Sequence, residues 1–162
     1  MRIYVDSSAL LKRVVTEPDS DALVAVLRRH EAEQDALVSS ALAWIEVSRS
    51  LRARWADEAD QSAVADAIDI ALSGIDEYPI NAEVVSLARR MGPAVLQSLD
   101  AIHLATSVLV DADVVVTFDA RLAAACSENG LAVRAPTAAD MPQVLPQGGL
   151  IASSDLERRT RE

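Results

Sequence analysis

Short aliphatic runs alternate with amphipathic helical segments along most of this chain, and that alternation limits its folding more than any other feature. Arg2-Ile3-Tyr4-Val5 reads as a strand that stops at Asp6. Leu10, Leu11, Val14 and Val15 recur at helical spacing until Pro18 interrupts them, and Asp19 or Ser20 is placed to cap a second helix to about Arg29. Ala36-Leu37-Val38 is a second strand. Ser39 or Ser40 then caps a helix to about Trp55, with Trp44, Val47, Leu51 and Trp55 on one face. Residues 57–73 read as a helix ending near Gly74, and Glu77-Tyr78-Pro79-Ile80 as an extended piece, because the residue before proline avoids the helical region. Asn81 caps a helix to about Met91, and Ser98 the next, to about Val110. Val114-Val115-Val116-Thr117 has the β-branched density of a buried strand. Residues 119–127 are again helical, and Leu131-Ala132-Val133 is a last strand. Strands spaced by helices in this way imply an α/β protein with a parallel sheet covered on both faces.

The 162 residues suit one domain over residues 1–136, with 137–162 as a loosely ordered extension containing Pro142, Pro146, Gly148 and Gly149. No apolar run is long enough to span a membrane, and Asp6 interrupts the N-terminal run too early for a signal peptide, so the expected setting is the cytoplasm, with no membrane partner. Cys126 is the only cysteine and reads as a small buried apolar residue. One cysteine and two histidines disfavour soft-metal chemistry. Five aromatic residues are too few for a protein that grips single strands mainly by stacking, and the formal charge of −10 is the wrong sign for a general nucleic-acid binder. The distribution of charge matters more than its sum. Asp57, Glu58, Asp60, Asp66, Asp69, Asp76 and Glu77 lie in a stretch with no basic residue between Trp55 and Ala88. Lys12, Arg13, Arg49, Arg52 and Arg54 are instead near candidate site acids, as phosphate contacts or simply as solvated helix ends.

Those acids are Asp6, Glu46, Asp100 and Asp119. Ligand sites of parallel sheets lie beyond the carboxyl ends of the strands, where Asp6 and Asp119 fall. Each also has an ordinary use as a turn or cap residue. Asp100, in a first helical turn, also favours the helix dipole. Glu46 projects from a helix that is apolar for two turns upstream, which an ion pair with Arg49 explains less well than an interior role. If the four converge, two carboxylates about 4 Å apart repel by roughly 4 kcal/mol at an effective dielectric of about 20. Oxygen-only sites of this kind suit Mg²⁺ or Mn²⁺, which supports phosphodiester hydrolysis without a protein nucleophile.

Asp6-Ser7-Ser8-Ala9-Leu10, Glu46 within Ser39-Ser40-Ala41-Leu42-Ala43-Trp44-Ile45-Glu46, Ser98-Leu99-Asp100-Ala101-Ile102-His103-Leu104-Ala105 and Thr117-Phe118-Asp119 together resemble PIN-domain ribonucleases, above all the VapC-type toxins of toxin–antitoxin pairs. The resemblance implies a three-layer α/β/α sandwich and Mg²⁺- or Mn²⁺-dependent endonucleolytic cleavage of RNA. Asp6 and Asp100 would be the main metal ligands, with Glu46 and Asp119 completing the quartet. Ser8 and Thr117 would hydrogen-bond within the site, although a capping serine and a strand threonine are the plain alternatives. His103, one turn past Asp100, reads as structural. A cognate antitoxin that places an arginine in the acidic pocket, and homodimerisation, are further implications. The competing readings are a catalytically silent module whose crevice binds an arginine-bearing partner, and a related nuclease acting on DNA or in RNA maturation.

Overall fold

Ile3 and Val5 point to one side of the first strand and Tyr4 to the other, and all three are fully buried. A strand buried on both faces needs helices on both. The computed structural model describes residues 1–57, 61–93 and 96–141. In chain order these form β1 (Arg2–Val5), α1 (Ser7–Leu11), α2 (Ser20–Ala32), β2 (Ala36–Ser40), α3 (Ala41–Arg54), α4 (Gln61–Leu72), β3 (Asp76–Tyr78), α5 (Ala82–Ala88), α6 (Ser98–Leu109), β4 (Val114–Val116), α7 (Ala120–Glu128), β5 (Val133–Arg134) and a 3₁₀ turn at Ala138–Asp140.

The five strands are all parallel, in the order β3-β2-β1-β4-β5. Residues Ile3, Val5, Leu37 and Val116 join Leu10, Leu23, Leu27, Val47, Leu51, Val64 and Ile68 in one core layer, under α1 to α4. Tyr4, Val38 and Val115 join Leu104, Leu122, Ala125 and Cys126 in the other, under α6 and α7. The result is the α/β/α sandwich. The expected α3 face holds: Val47 and Leu51 are fully buried, with Trp44 and Trp55 half-buried against the same layer. Each fully buried aliphatic side chain of this size contributes about 1.5–3 kcal/mol. β3 is an edge strand with Asp76 and Glu77 exposed, charges that discourage pairing with another chain.

Several boundaries differ from the sequence expectation. α1 stops at Leu11, so Val14 and Val15 lie in turns, although Val15 is still buried. Asp19 occupies the cap position of α2 in a left-handed conformation (φ 68°) and makes no capping bond. The Ser20 hydroxyl folds back instead, donating to the Val15 carbonyl and accepting from the Glu17 amide. Ser98 is the first residue of α6 and not its cap, which is Gln97, whose side chain bonds nothing there. α5 ends three residues earlier than the stretch to Met91 implied, and the last strand is displaced to Val133–Arg134. Ser40 and Asn81 cap as expected. Asp57, the first residue of the expected 57–73 helix, lies in a turn, while residues 58–60, with Glu58 and Asp60 of the acidic block, and residues 142–162 lie outside the described residues.

Candidate active site

The chain runs outward from β1 through β2 to β3 and then restarts on the other side of β1 with β4. Strand order therefore reverses between β1 and β4, the place where parallel α/β sheets open a ligand crevice at their carboxyl ends. Asp6 leaves β1 at this point, and Thr117 and Asp119 leave β4.

Asp6 is buried and is the N-cap of α1. Its Oδ1 accepts from Ser8 Oγ at 2.7 Å and from the Ala9 amide at 3.1 Å, and its Oδ2 from Thr117 Oγ1 at 3.0 Å. The same two hydroxyls are acceptors in turn: Ser8 Oγ from the Phe118 amide (2.9 Å) and Thr117 Oγ1 from the Asp119 amide (3.0 Å). The β4–α7 connection is thus stitched to Asp6 through two side chains. A carboxylate offers about four acceptor positions, so one on Oδ2 remains for a ligand. Burial raises the Asp6 carboxyl above its ordinary range, against the pull of His103's charge and these hydrogen bonds.

Glu46, on α3, does not pair with Arg49. Its Oε2 accepts from His103 Nε2 at 2.8 Å, and His103 Nδ1 lies 2.6 Å from the Tyr4 hydroxyl. Tyr4 also accepts from the Ser40 amide at 3.3 Å. In the neutral ring, Nδ1 accepting the phenolic hydrogen would put the histidine proton on Nε2, aimed at Glu46. Burial pushes the Glu46 carboxyl upward, but the hydrogen bond and charge of His103, with a bond from Ser7, bring it below its ordinary value. The His103 ring is buried, and it bonds a candidate site acid.

Asp119 caps α7, its Oδ1 accepting from the Arg121 and Leu122 amides at 2.7 and 3.1 Å. Against burial, these bonds and the Arg121 guanidinium lower its carboxyl. Asp100 differs from the other three. Its Oδ2 is buried and has no hydrogen-bond partner. Burial and the Asp119 charge, with Glu46 adding, raise its carboxyl despite Arg121 and His103. Arg121, unmarked in the sequence reading, lies near both acids: Nε is 4.0 Å from Asp100 Oδ2, and a terminal nitrogen is 3.6 Å from Asp119 Oδ2.

Asp100 is coupled by charge to Asp119 and Glu46, while Asp6 is tied to this region through His103 and through the Ser8 and Thr117 hydroxyls; among the described residues no three of the four acids' oxygens lie within 4.8 Å of one another. The one such grouping is His30, Glu33 and Asp35, where α2 leads into β2. Its members are paired already: Asp35 with His30 and the N-terminal amine, and Glu33 with Arg29. The cations expected to meet phosphate divide. Arg13 donates to the Ala71 and Ser73 carbonyls at 2.9 and 2.8 Å, tying α1 to the end of α4. Lys12 binds Glu17 and the Pro18 carbonyl and sits 4.7 Å over the Phe118 ring. Both are engaged in holding the fold, which their positions near the motif did not reveal. Arg49 and Arg52 are exposed on α3, and Arg54 pairs with Glu17. Cys126 is fully buried, and burial pushes its thiol up to about 11, so it is no nucleophile.

A buried carboxylate oxygen with no hydrogen bond, beside two further acids in a donor set of oxygen alone, fits a hard divalent ion. Fold and crevice together define a parallel-sheet α/β protein with an acidic switch-point site. Residues 3–128 match the PIN domain family, and the chain belongs to that family. Ribonuclease VapC46 of Mycobacterium tuberculosis is 39% identical over 137 residues, covering 83% of this chain and 98% of its own. Ribonuclease VapC47 of the same species is 34% identical over 138 residues, covering 84% and 98%. The same fold occurs in VapBC2 from Rickettsia felis bound to a promoter DNA fragment (TM-score 0.65, 12% identity, 83% of this chain and 98% of that one). It also occurs in Mycobacterium tuberculosis VapC20, a sarcin–ricin loop cleaving toxin (TM-score 0.57, 18% identity, 76% and 94%). Among the described residues no helix is long and apolar enough to cross a membrane.

Proposed function

We propose that this chain is a divalent-metal-dependent endoribonuclease, the toxin of a toxin–antitoxin pair, that hydrolyses RNA phosphodiester bonds in the crevice between β1 and β4. The observation that carries the reading is the buried Oδ2 of Asp100, which has no hydrogen-bond partner and only the exposed Arg121 guanidinium at 4.0 Å, beside Asp119 and Glu46. An acid kept for the fold alone is ordinarily hydrogen-bonded when its oxygen is buried, and this one is not. Curated relatives named as ribonucleases over most of the chain add to it.

Asp6 and Asp100 would hold the ion, Mg²⁺ or Mn²⁺, with Glu46 and Asp119 contributing directly or through water. Such an ion, when bound, supplies an acidified water and charge for the scissile phosphate. The protein's part is orientation. Ser8 and Thr117 lock the Asp6 carboxylate in place, and their acceptance of the Phe118 and Asp119 amides makes the two strand ends one rigid unit. His103 would hold Glu46 ionised and fix the position of its Oε2. With few aromatics, recognition would rest on RNA shape and phosphate contacts more than on stacking. A cognate antitoxin would block the crevice with an arginine, whose fork suits paired carboxylates. Assembly as a homodimer in the cytoplasm belongs to the same reading.

Expression of the chain alone in a bacterial host should arrest growth and create new 5′ ends in cellular RNA, and Asp6→Asn should do neither at equal abundance. No growth effect and no new ends from the parent chain would favour the silent module.

A further inference from the structure

Arg121 is the one arginine or lysine among the described residues placed against two of the candidate ligands, and its geometry is that of a counter-ion and not of a fixed strut. The backbone is anchored, since its amide donates to Asp119 Oδ1 at 2.7 Å. The side chain is not. It is 55% exposed, and its nitrogens stand 4.0 Å from Asp100 Oδ2 and 3.6 Å from Asp119 Oδ2, too far for hydrogen bonds. Arg13 and Lys12, by contrast, are bound to carbonyls and largely buried.

We infer that Arg121 is a two-state residue of the site: it balances Asp100 and Asp119 while no divalent ion is bound, and contacts the RNA phosphate once one is. The inference rests on the metal-dependent ribonuclease reading. A guanidinium and a divalent ion compete for the charge of the same two oxygens, so ion binding weakens the hold of Asp100 and Asp119 on Arg121 and lets it swing outward. The anchored backbone keeps the freed guanidinium at the rim of the crevice, where a phosphodiester must lie for hydrolysis. One residue would then couple loading of the ion to binding of RNA. It would also supply positive charge that the overall −10 conceals.

The test compares the full chain with Arg121→Gln and with Arg29→Gln, which removes an equal charge from an exposed site on α2 where Arg29 pairs with Glu33. Mn²⁺ is titrated calorimetrically without RNA. Binding of a short single-stranded RNA is followed by fluorescence anisotropy with Ca²⁺ present, over a range of salt. Arg121→Gln should bind Mn²⁺ about three- to tenfold more tightly than the parent, as expected for loss of partly exposed competing ion pairs. It should bind RNA more weakly, with a salt dependence shallower by about 0.7, the slope of one phosphate contact on a single strand. Arg29→Gln should leave Mn²⁺ affinity and salt slope as in the parent. If the parent and Arg121→Gln bind Mn²⁺ equally, or the RNA salt slope does not change, the two-state role is wrong while the metal site stands. If no variant binds Mn²⁺, the metal reading itself fails and takes this one with it.

Discussion

Asp100→Asn should lose RNA cleavage by about 10³-fold or more while the metal-free protein stays folded and becomes no less stable. The activity loss reflects removal of a direct carboxylate from a site whose ion contributes several kcal/mol to transition-state stabilisation, and about 1.4 kcal/mol corresponds to a factor of ten. The stability expectation follows from the environment. Asp100 Oδ2 is buried without a hydrogen-bond partner, and burial and Asp119 raise its carboxyl more than Arg121 at 4.0 Å lowers it. Leaving such a group unpaired costs about 1–3 kcal/mol, so the neutral amide should be neutral or stabilising. The pH dependence has a defined sign. A raised folded-state value means that protonation favours the fold. The stability linked to Asp100 is fully present below its unfolded-state value and is lost as pH rises through the folded one. The stability advantage of Asp100→Asn over the parent should therefore be largest near neutrality and shrink as pH falls into the carboxylate range. Urea unfolding of both proteins in chelator, from pH 7 downward, measures this. An Asp100→Asn protein less stable than the parent at neutrality would mean that the acid serves the fold.

His103→Ala should cost both stability and activity, for a reason that separates it from the ligands. The ring is buried and bonded at both nitrogens, to Tyr4 at 2.6 Å and to Glu46 at 2.8 Å. Its removal takes one partner each from a phenolic hydroxyl, left with the Ser40 amide, and a carboxylate, left with Ser7, and opens a cavity, a loss of about 2–4 kcal/mol. Cleavage should fall about 10–100-fold, the usual effect of deleting a residue that orients a metal-site ligand. Tyr4→Phe tests the relay without removing the ring. It takes away only the hydroxyl that accepts from the Ser40 amide and faces Nδ1. The ¹⁵N shifts of His103 should report the proton on Nε2 in the parent and a mixture of tautomers in Tyr4→Phe, with a smaller fall in cleavage than for His103→Ala. Parent-like cleavage by a folded His103→Ala protein would confine His103 to the core.

Much of this architecture is legible in the sequence because its signals are local. Asp6, Ser40, Asn81 and Asp119 each cap the helix that follows them, a contact made within three residues. The four acids stood out for the same reason, since an acid at a strand end or on an apolar helix is unusual among its immediate neighbours. What was not legible depends on contacts distant in sequence. Tyr4 looks like any strand residue until the sheet carries its hydroxyl to His103, 99 residues away. Arg13 reads as a free cation until α4 ends beside it, and its bonds to Ala71 and Ser73 span 58 and 60 residues. Arg121 carries no motif of its own, and its meaning comes from α6 placing Asp100 within reach of α7. Ser98 misled because a serine before a helical run resembles a cap whether or not its hydroxyl turns toward the amides.

The most direct test of the central claim is cleavage of purified total RNA by the protein after chelation and reloading. The metal site predicts no cleavage in excess EDTA, recovery when Mg²⁺ or Mn²⁺ is added beyond the chelator, and no cleavage under either condition by Asp6→Asn purified in the same way. Undiminished cleavage in EDTA, or equal cleavage by Asp6→Asn, would contradict it.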